Sequence, residues 1–201
     1  MRPVTGILLA AGTGRRFGAH KLLQPLPSGE PVGVAAARNL IAAVPDSIAV
    51  VRAGDQALAA ALGAVGLRIV EHPGADGGLG TSLAAGVATT PDAAGWLIAL
   101  GDMPWVQQET ILALTEALAA GASLVAPLYA DRRGHPVGFA ALWGGRLMNL
   151  KGDQGARDLI AAHSVQLVLL PTQDPGVLLD VDTLADLDPC ASINRSAEPG
   201  D

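Results

Sequence analysis

The sequence predicts a Rossmann-like α/β protein, a three-layer sandwich around a mixed but mostly parallel sheet. Three observations predict it. Near-continuous apolar runs of strand length alternate with longer stretches whose apolar residues recur at helical spacing. That is the pattern of strands buried on both faces beneath crossover helices. The polar motifs follow the ends of apolar runs, where such sheets keep their ligand loops. Half of the residues are hydrophobic while only 3% are aromatic, so the core is built from Ala, Val, Leu and Ile.

The elements follow in order. "VTGILLA" is the first buried strand, "SIAVVRA" the second and "LRIVEH" the third. "AGWLIALGD" is the fourth, "ASLVAPLY" the fifth, "HPVGFAAL" the sixth and "VQLVLLP" the seventh. "VGVAAARNLIAAV", "DQALAAALGAV", "GTSLAAGVA" and "ETILALTEALAAG" lie between them and read as helices. After about Ala120 the alternation loosens, and there the sheet is expected to gain an antiparallel strand. "GDQGAR", Asp153 to Arg157, reads as a capped helix start.

Residues 1–190 are expected to form one domain and 191–201, ending "SAEPGD", a flexible tail. The net charge of −6 gives no basic face, which argues against a nucleic-acid polymer as partner. The single cysteine, Cys190, makes neither an internal disulfide nor, alone, a zinc site. No apolar run approaches the ~20 residues of a membrane span, and the N-terminus lacks a signal-peptide pattern. A cytoplasmic protein with no membrane association is expected.

"ILLAAGTGRRFG" turns from an apolar run into a glycine loop. Its glycines, Gly12, Gly14 and Gly18, are spaced one residue too widely for a dinucleotide Gly-x-Gly-x-x-Gly, and the Gly-Lys-Ser/Thr of a P-loop is absent. What remains is a glycine loop carrying Arg15, Arg16 and Lys21. Glycines let backbone N–H groups approach anionic oxygens, and the cations add charge at the same place. A triphosphate fits this better than a pyrophosphate diester. Lys21 is one of only two lysines among 13 basic residues.

Asp102, in "ALGDMP", follows the fourth strand on a tight turn and suits a hard divalent ion such as Mg2+. Asp180 and Asp182 flank Val181. We expect them to face opposite ways in a short strand, so that only one shares the ion. In "GLGTSLAAG", Gly78, Gly80 and Ser82 stand at a helix start, whose free N–H groups and Ser82 hydroxyl can read a base edge or ribose. His135, in "RRGHPVGF", and Arg157 are candidates to hold an acceptor, while Trp105 reads equally as core or as a substrate platform.

"LLAAGTGRRFGAHKLL" resembles the opening signature of the MobA-like nucleotidyltransferases. "GGLGTSLAAG", "GDMP", "RRGHPVGF", "GDQGAR" and "LLDVDTLADL" match further family segments in order, from Leu8 to Leu187. "RRGHPVGF" points to the molybdenum cofactor cytidylyltransferase branch. The resemblance implies a GT-A-like fold, as in the nucleotide-diphospho-sugar transferases. It implies transfer of a nucleotidyl group, CMP from CTP, to a phosphorylated pterin such as Mo-molybdopterin, with release of pyrophosphate. By resemblance, Leu9, Ala10, Ala11, Gly12 and Gly14 line the nucleotide, and Gly80 and Ser82 close on it. Arg15 and Lys21 hold the triphosphate, and Asp102 with Asp182 binds Mg2+. Asp180 holds a loop, Asp186 lies on a helix surface, and the partner is a molybdoenzyme or its chaperone. Two rivals are an NAD(P)H-dependent oxidoreductase of the nicotine blue oxidoreductase type and a nucleotidyltransferase for another phosphorylated acceptor.

Overall fold

The computed structural model describes residues 3–12, 20–153 and 155–188. The chain alternates through β1 (Val4–Leu9), α1 (Val32–Ala43), β2 (Ser47–Arg52), α2 (Gln56–Ala64), β3 (Arg68–His72), α3 (Leu79–Ala88), β4 (Gly95–Leu100), α4 (Gln108–Ala119) and β5 (Leu124–Tyr129). It then continues through β6 (Arg132–Arg133), β7 (Val137–Ala140), α5 (Gly144–Met148), α6 (Arg157–Ala162) and β8 (Leu167–Pro171). The strands form one sheet in the order β3-β2-β1-β4-β7-β5-β6, with β8 paired to β5. Pairs β1–β2, β1–β4, β2–β3 and β5–β8 are parallel. The antiparallel strand expected beyond Ala120 is β7, which lies against both β4 and β5 in that sense.

Every residue of β1 is buried, and period-two alternation divides them between two cores. Val4 and Leu8 pack with Leu40 of α1, Leu62 of α2 and Leu114 of α4. Ile7 and Leu9 turn to the other face, with Leu83 of α3, Leu147 of α5 and Ile160 of α6. This two-sided burial is why the strands read as unbroken apolar runs. Trp96 and Trp143, both essentially buried, satisfy their indole N–H groups on Thr90 Oγ1 at 2.9 Å and the Ser123 carbonyl at 3.0 Å.

The chain winds outward through β1, β2 and β3, then returns to place β4 on the other side of β1. The loops leaving β1 and β4 therefore diverge, and a crevice opens at their carboxyl ends. Two local expectations need correction. The helix near Asp153 begins only at Arg157, with Ala156 as its cap residue and no side-chain cap. Residues 179–182 form no strand: the 3-10 turn Pro175–Leu178 leads into an extended segment. Asp186 lies on the 3-10 turn Leu184–Leu187, where its carboxylate accepts from the Thr183 N–H and hydroxyl, each at 2.7 Å, in a capping box.

Candidate functional site

The crevice is a cleft of about 730 Å³. Leu9, Ala10, Ala11 and Gly12 line it from the exit of β1, Leu100 and Asp102 from that of β4, and Ser82 from α3. Lys21 enters on the 3-10 turn Lys21–Leu23, which the buried Leu22 anchors in the core. Arg15 and Gly14 lie outside the described residues.

Lys21 is the hub. Its Nζ donates to Asp102 Oδ2 at 2.8 Å and to Asp182 Oδ1 at 3.0 Å. Burial opposes its charge, but Asp102 first and Asp182 second outweigh that, and its pKa is raised. Asp102 stands on the turn after β4, and the Val181 N–H donates to the Asp102 carbonyl at 2.9 Å. That bond brings the C-terminal segment to the β4 exit. Val181 is fully buried, and Asp180 and Asp182 on either side turn outward together. Ligand oxygens of Asp102, Asp180 and Asp182 all lie within 4.8 Å of one another.

The expected divergence of Asp180 and Asp182 is therefore wrong. In extended backbone, residues two apart share a side and the residue between them takes the other. Burial, followed by the negative charges of Asp182 and Asp102, raises the pKa of Asp180. Three convergent carboxylates beside an ammonium are a donor set suited to a hard divalent cation. Such a cation would relieve the repulsion that Lys21 now offsets in part.

The α3 entrance differs from expectation in one respect. The Gly80 N–H is not free, since it donates to the Gly152 carbonyl at 2.8 Å. Gly78, at φ +95°, is where the 151–153 loop packs down: a Cβ there would strike the Asp153 carboxylate and the Gly152 backbone. The glycines of "GLG" thus admit this loop and bring Asp153 to the cleft wall. Ser82 is buried, and its hydroxyl is 3.5 Å from the Gly78 carbonyl.

A second pocket of about 270 Å³ opens on the β7 side and shares Leu9, Leu79, Leu100 and Asp153 with the first. Its walls are apolar, among them Leu83, Ile98, Phe139 and Ile160, and Arg133, His135 and Arg157 supply the basic groups. The Nδ1 atom of His135 is sealed from solvent and has no hydrogen-bond partner. Burial, then the charge of Arg133, pushes its pKa down to about 4, against a weaker pull from Asp102. Burial and the neighbouring Arg157 likewise lower Arg133. Trp105 packs against the first core.

Sequence reasoning passed over Arg52 and Asp76. Arg52 Nη1 donates to Asp76 Oδ1 at 2.7 Å inside the large cleft. No motif marks them, because they come from the ends of different elements.

The chain is 33% identical over 190 residues to nicotine blue oxidoreductase of Paenarthrobacter nicotinovorans, covering 90% of this chain and 93% of that protein. It is 30% identical over 196 residues to purine catabolism protein PucB of Bacillus subtilis, covering 91% and 93% respectively. The crystal structure of Rv0371c from Mycobacterium tuberculosis superposes with a TM-score of 0.81 at 29% identity, covering 95% of this chain and 98% of that one. The manganese complex of Rv0371c superposes at 0.77 and 30% identity, covering 92% and 95%. The model of the MobA-like NTP transferase domain matches residues 6–167, a span that takes in Lys21 and Asp102 and ends before Asp180 and Asp182, and with most of its length inside that match the chain belongs to the MobA-like NTP transferase family.

Proposed function

We propose that the protein transfers a nucleotidyl group, CMP from CTP, to a phosphorylated pterin such as Mo-molybdopterin. A phosphate oxygen of the acceptor attacks the α-phosphorus, a new P–O bond forms, the α–β bond breaks, and pyrophosphate leaves. The observation that carries this is Lys21, held at 2.8 and 3.0 Å between two carboxylates at the β4 exit. There is little covalent work for a protein in such a step, so placed charge is what accelerates it.

In this reading Leu9, Ala10, Ala11, Gly12 and Gly14 line the nucleotide, with Ser82 beside the sugar and Gly80 holding the wall. Lys21 and Arg15 stabilise charge on the triphosphate and the leaving pyrophosphate. Asp102, Asp182 and Asp180 would hold Mg2+, which when bound neutralises phosphate charge as a Lewis acid. His135 and Arg157 orient the acceptor in the apolar second pocket, whose basic mouth suits a ring bearing a phosphate. A molybdoenzyme or its chaperone would receive the product, inside the cytoplasm.

A redox reading draws on the likeness to nicotine blue oxidoreductase. The glycine spacing after β1 and the three-carboxylate site favour the phosphate reading. Thermal unfolding with Mg2+ and CTP, GTP, NADH or NADPH separates the two, because a ligand at a hundred times its Kd adds ~2.7 kcal/mol. Protection by CTP, with pyrophosphate release once a phosphorylated pterin is added, is the expected result. Protection by NAD(P)H alone would reverse the assignment.

A further inference from the structure

The sheet has two long edges, β3 and β8, and they are built differently. β3 reads RIVEH, with Arg68 and Glu71 on it. Charges on an edge strand keep other chains from adding to it. β8 pairs with β5 alone among the described strands, so its other side is an edge as well. It reads LVLLP, and no residue from Ser164 to Gln173 carries a charge. Val168 is 42% exposed, Leu169 40%, and Val165, just before the strand, is fully exposed. Side chains alternate between the two faces of a strand. Leu170 packs on the first core and Leu167 on the second. Val168 therefore lies on the first face and Leu169 on the second, and both layers run apolar to the rim.

The backbone of β8 says what fits there. The Thr172 N–H donates to the Leu128 carbonyl of β5 at 3.0 Å, so residues 168, 170 and 172 turn their peptide groups to β5. Those of Leu167, Leu169 and Pro171 turn to the rim, and this set is symmetric about Leu169. We infer that β8 is the seam of a homodimer, in which it pairs antiparallel with the β8 of a second copy across a two-fold axis at Leu169. The N–H and carbonyl of Leu169 bond to those of the partner's Leu169. The Leu167 N–H bonds to the carbonyl of the partner's Pro171. Proline has no N–H to return, and strands carry it at an edge or an end for that reason. This register stands Val168 of each copy beside Leu170 of the other, and Leu170 lines a groove of about 180 Å³ with Ala113 and Leu114 of α4.

A second copy is the occupant that the strand itself specifies. An isologous contact needs a surface complementary to itself. Here the outward peptide groups match their own copy, apolar side chains meet apolar ones on both faces, and no charge meets its like across the axis. The seam is five residues long, short of the ~800 Å² per partner of a standard interface, so association depends on concentration. The inference stands whether or not the nucleotidyl-transfer reading does, because it uses none of the residues placed in the cleft.

Sedimentation velocity of the full chain between ~1 µM and ~1 mM should show monomer giving way to dimer. Leu169→Lys sets two ammonium groups against each other at the axis and should weaken the dimer at least ~10-fold, and Leu169→Glu should do the same. Mixed in equal amounts, the two variants should recover a heterodimer, since lysine then faces glutamate. Both should keep the wild-type circular dichroism. If either unfolds, amide hydrogen exchange on the wild type decides instead: protection of the Leu167 and Leu169 N–H groups should rise with protein concentration. A wild type that stays monomeric, a dimer that survives both substitutions, folded variants that do not pair when mixed, or protection that ignores concentration would each overturn the inference.

Discussion

Asp102, Asp180 and Asp182 share one small volume, and Lys21 touches two of them, so single changes here act on a unit. Asp102→Asn keeps the shape and removes a charge. It should abolish turnover while circular dichroism stays native, and near-normal activity would remove Asp102 from the site. Lys21→Ala should lower kcat/KM at least ~100-fold, as when a cation facing transition-state charge is lost. Lys21→Arg should rescue poorly, because a planar fork does not replace a compact ammonium between two carboxylates. Asp180→Asn and Asp182→Asn should each raise the Mg2+ concentration needed for half-maximal activity. The double change of Asp102 and Asp182 should cost less than the sum of the singles, since the first loss already empties the site. A Mg2+ titration of activity across these variants tests this, and a normal metal requirement in Asp180→Asn would confine that residue to loop structure. The candidates Lys21, Asp102 and Asp182 were visible because each sits in a local motif. The third carboxylate was misjudged by its facing, although the period-two rule applied to the buried Val181 already turns both neighbours outward.

Elements position these residues, and one buried carboxylate governs the last of them. Asp174 is 1% exposed and accepts from the Gln107 N–H at 2.8 Å, the Thr110 hydroxyl at 2.9 Å and the Gly176 N–H at 2.9 Å. It clamps the Pro175–Leu178 turn to the start of α4, and that turn feeds the segment carrying Asp180 and Asp182. Asp174→Ala leaves buried donors unpaired and should destabilise the fold by roughly 3 kcal/mol. Urea unfolding measures that cost, and the surviving folded fraction should also need more Mg2+; an unchanged midpoint would deny the clamp. Sequence alone had no means to find this clamp, since Gln107 and Thr110 lie more than sixty residues from Asp174. The central strands β1, β2, β4 and β5 and the four longer helices were legible for the opposite reason: burial of consecutive strand residues, or of one face of a helix, writes itself into consecutive residues. The two-residue β6 and the short α5 carry too few residues to show a period. In the "GLG" segment the Gly80 N–H was expected to be free, because nothing local reveals that the Gly152 carbonyl takes it.

Across the whole molecule, the two arms of the site meet at Leu9, Leu79, Leu100 and Asp153, and the second arm contains a group that links stability to pH. The surface of His135 is partly exposed, but Nδ1 is closed off without a partner, and Arg133 adds like charge to the cost of protonation. In the unfolded chain the imidazole regains its ordinary value of 6.5, against about 4 in the fold. The sign follows from which state binds the proton. Above pH 6.5 neither does, and stability is complete. Between 6.5 and about 4 the unfolded chain takes up a proton that the fold refuses, so stability falls as pH falls. Below that both are protonated and the loss levels off. The full interval is worth about 3 kcal/mol. His135→Asn removes this term while other titrating groups remain, so the wild type should lose about 3 kcal/mol more than the variant between pH 7 and pH 4 in urea unfolding. Parallel pH curves for the two proteins would mean that the imidazole takes up its proton in the fold as readily as in the unfolded chain, and its burial beside Arg133 would then carry no cost in protonation.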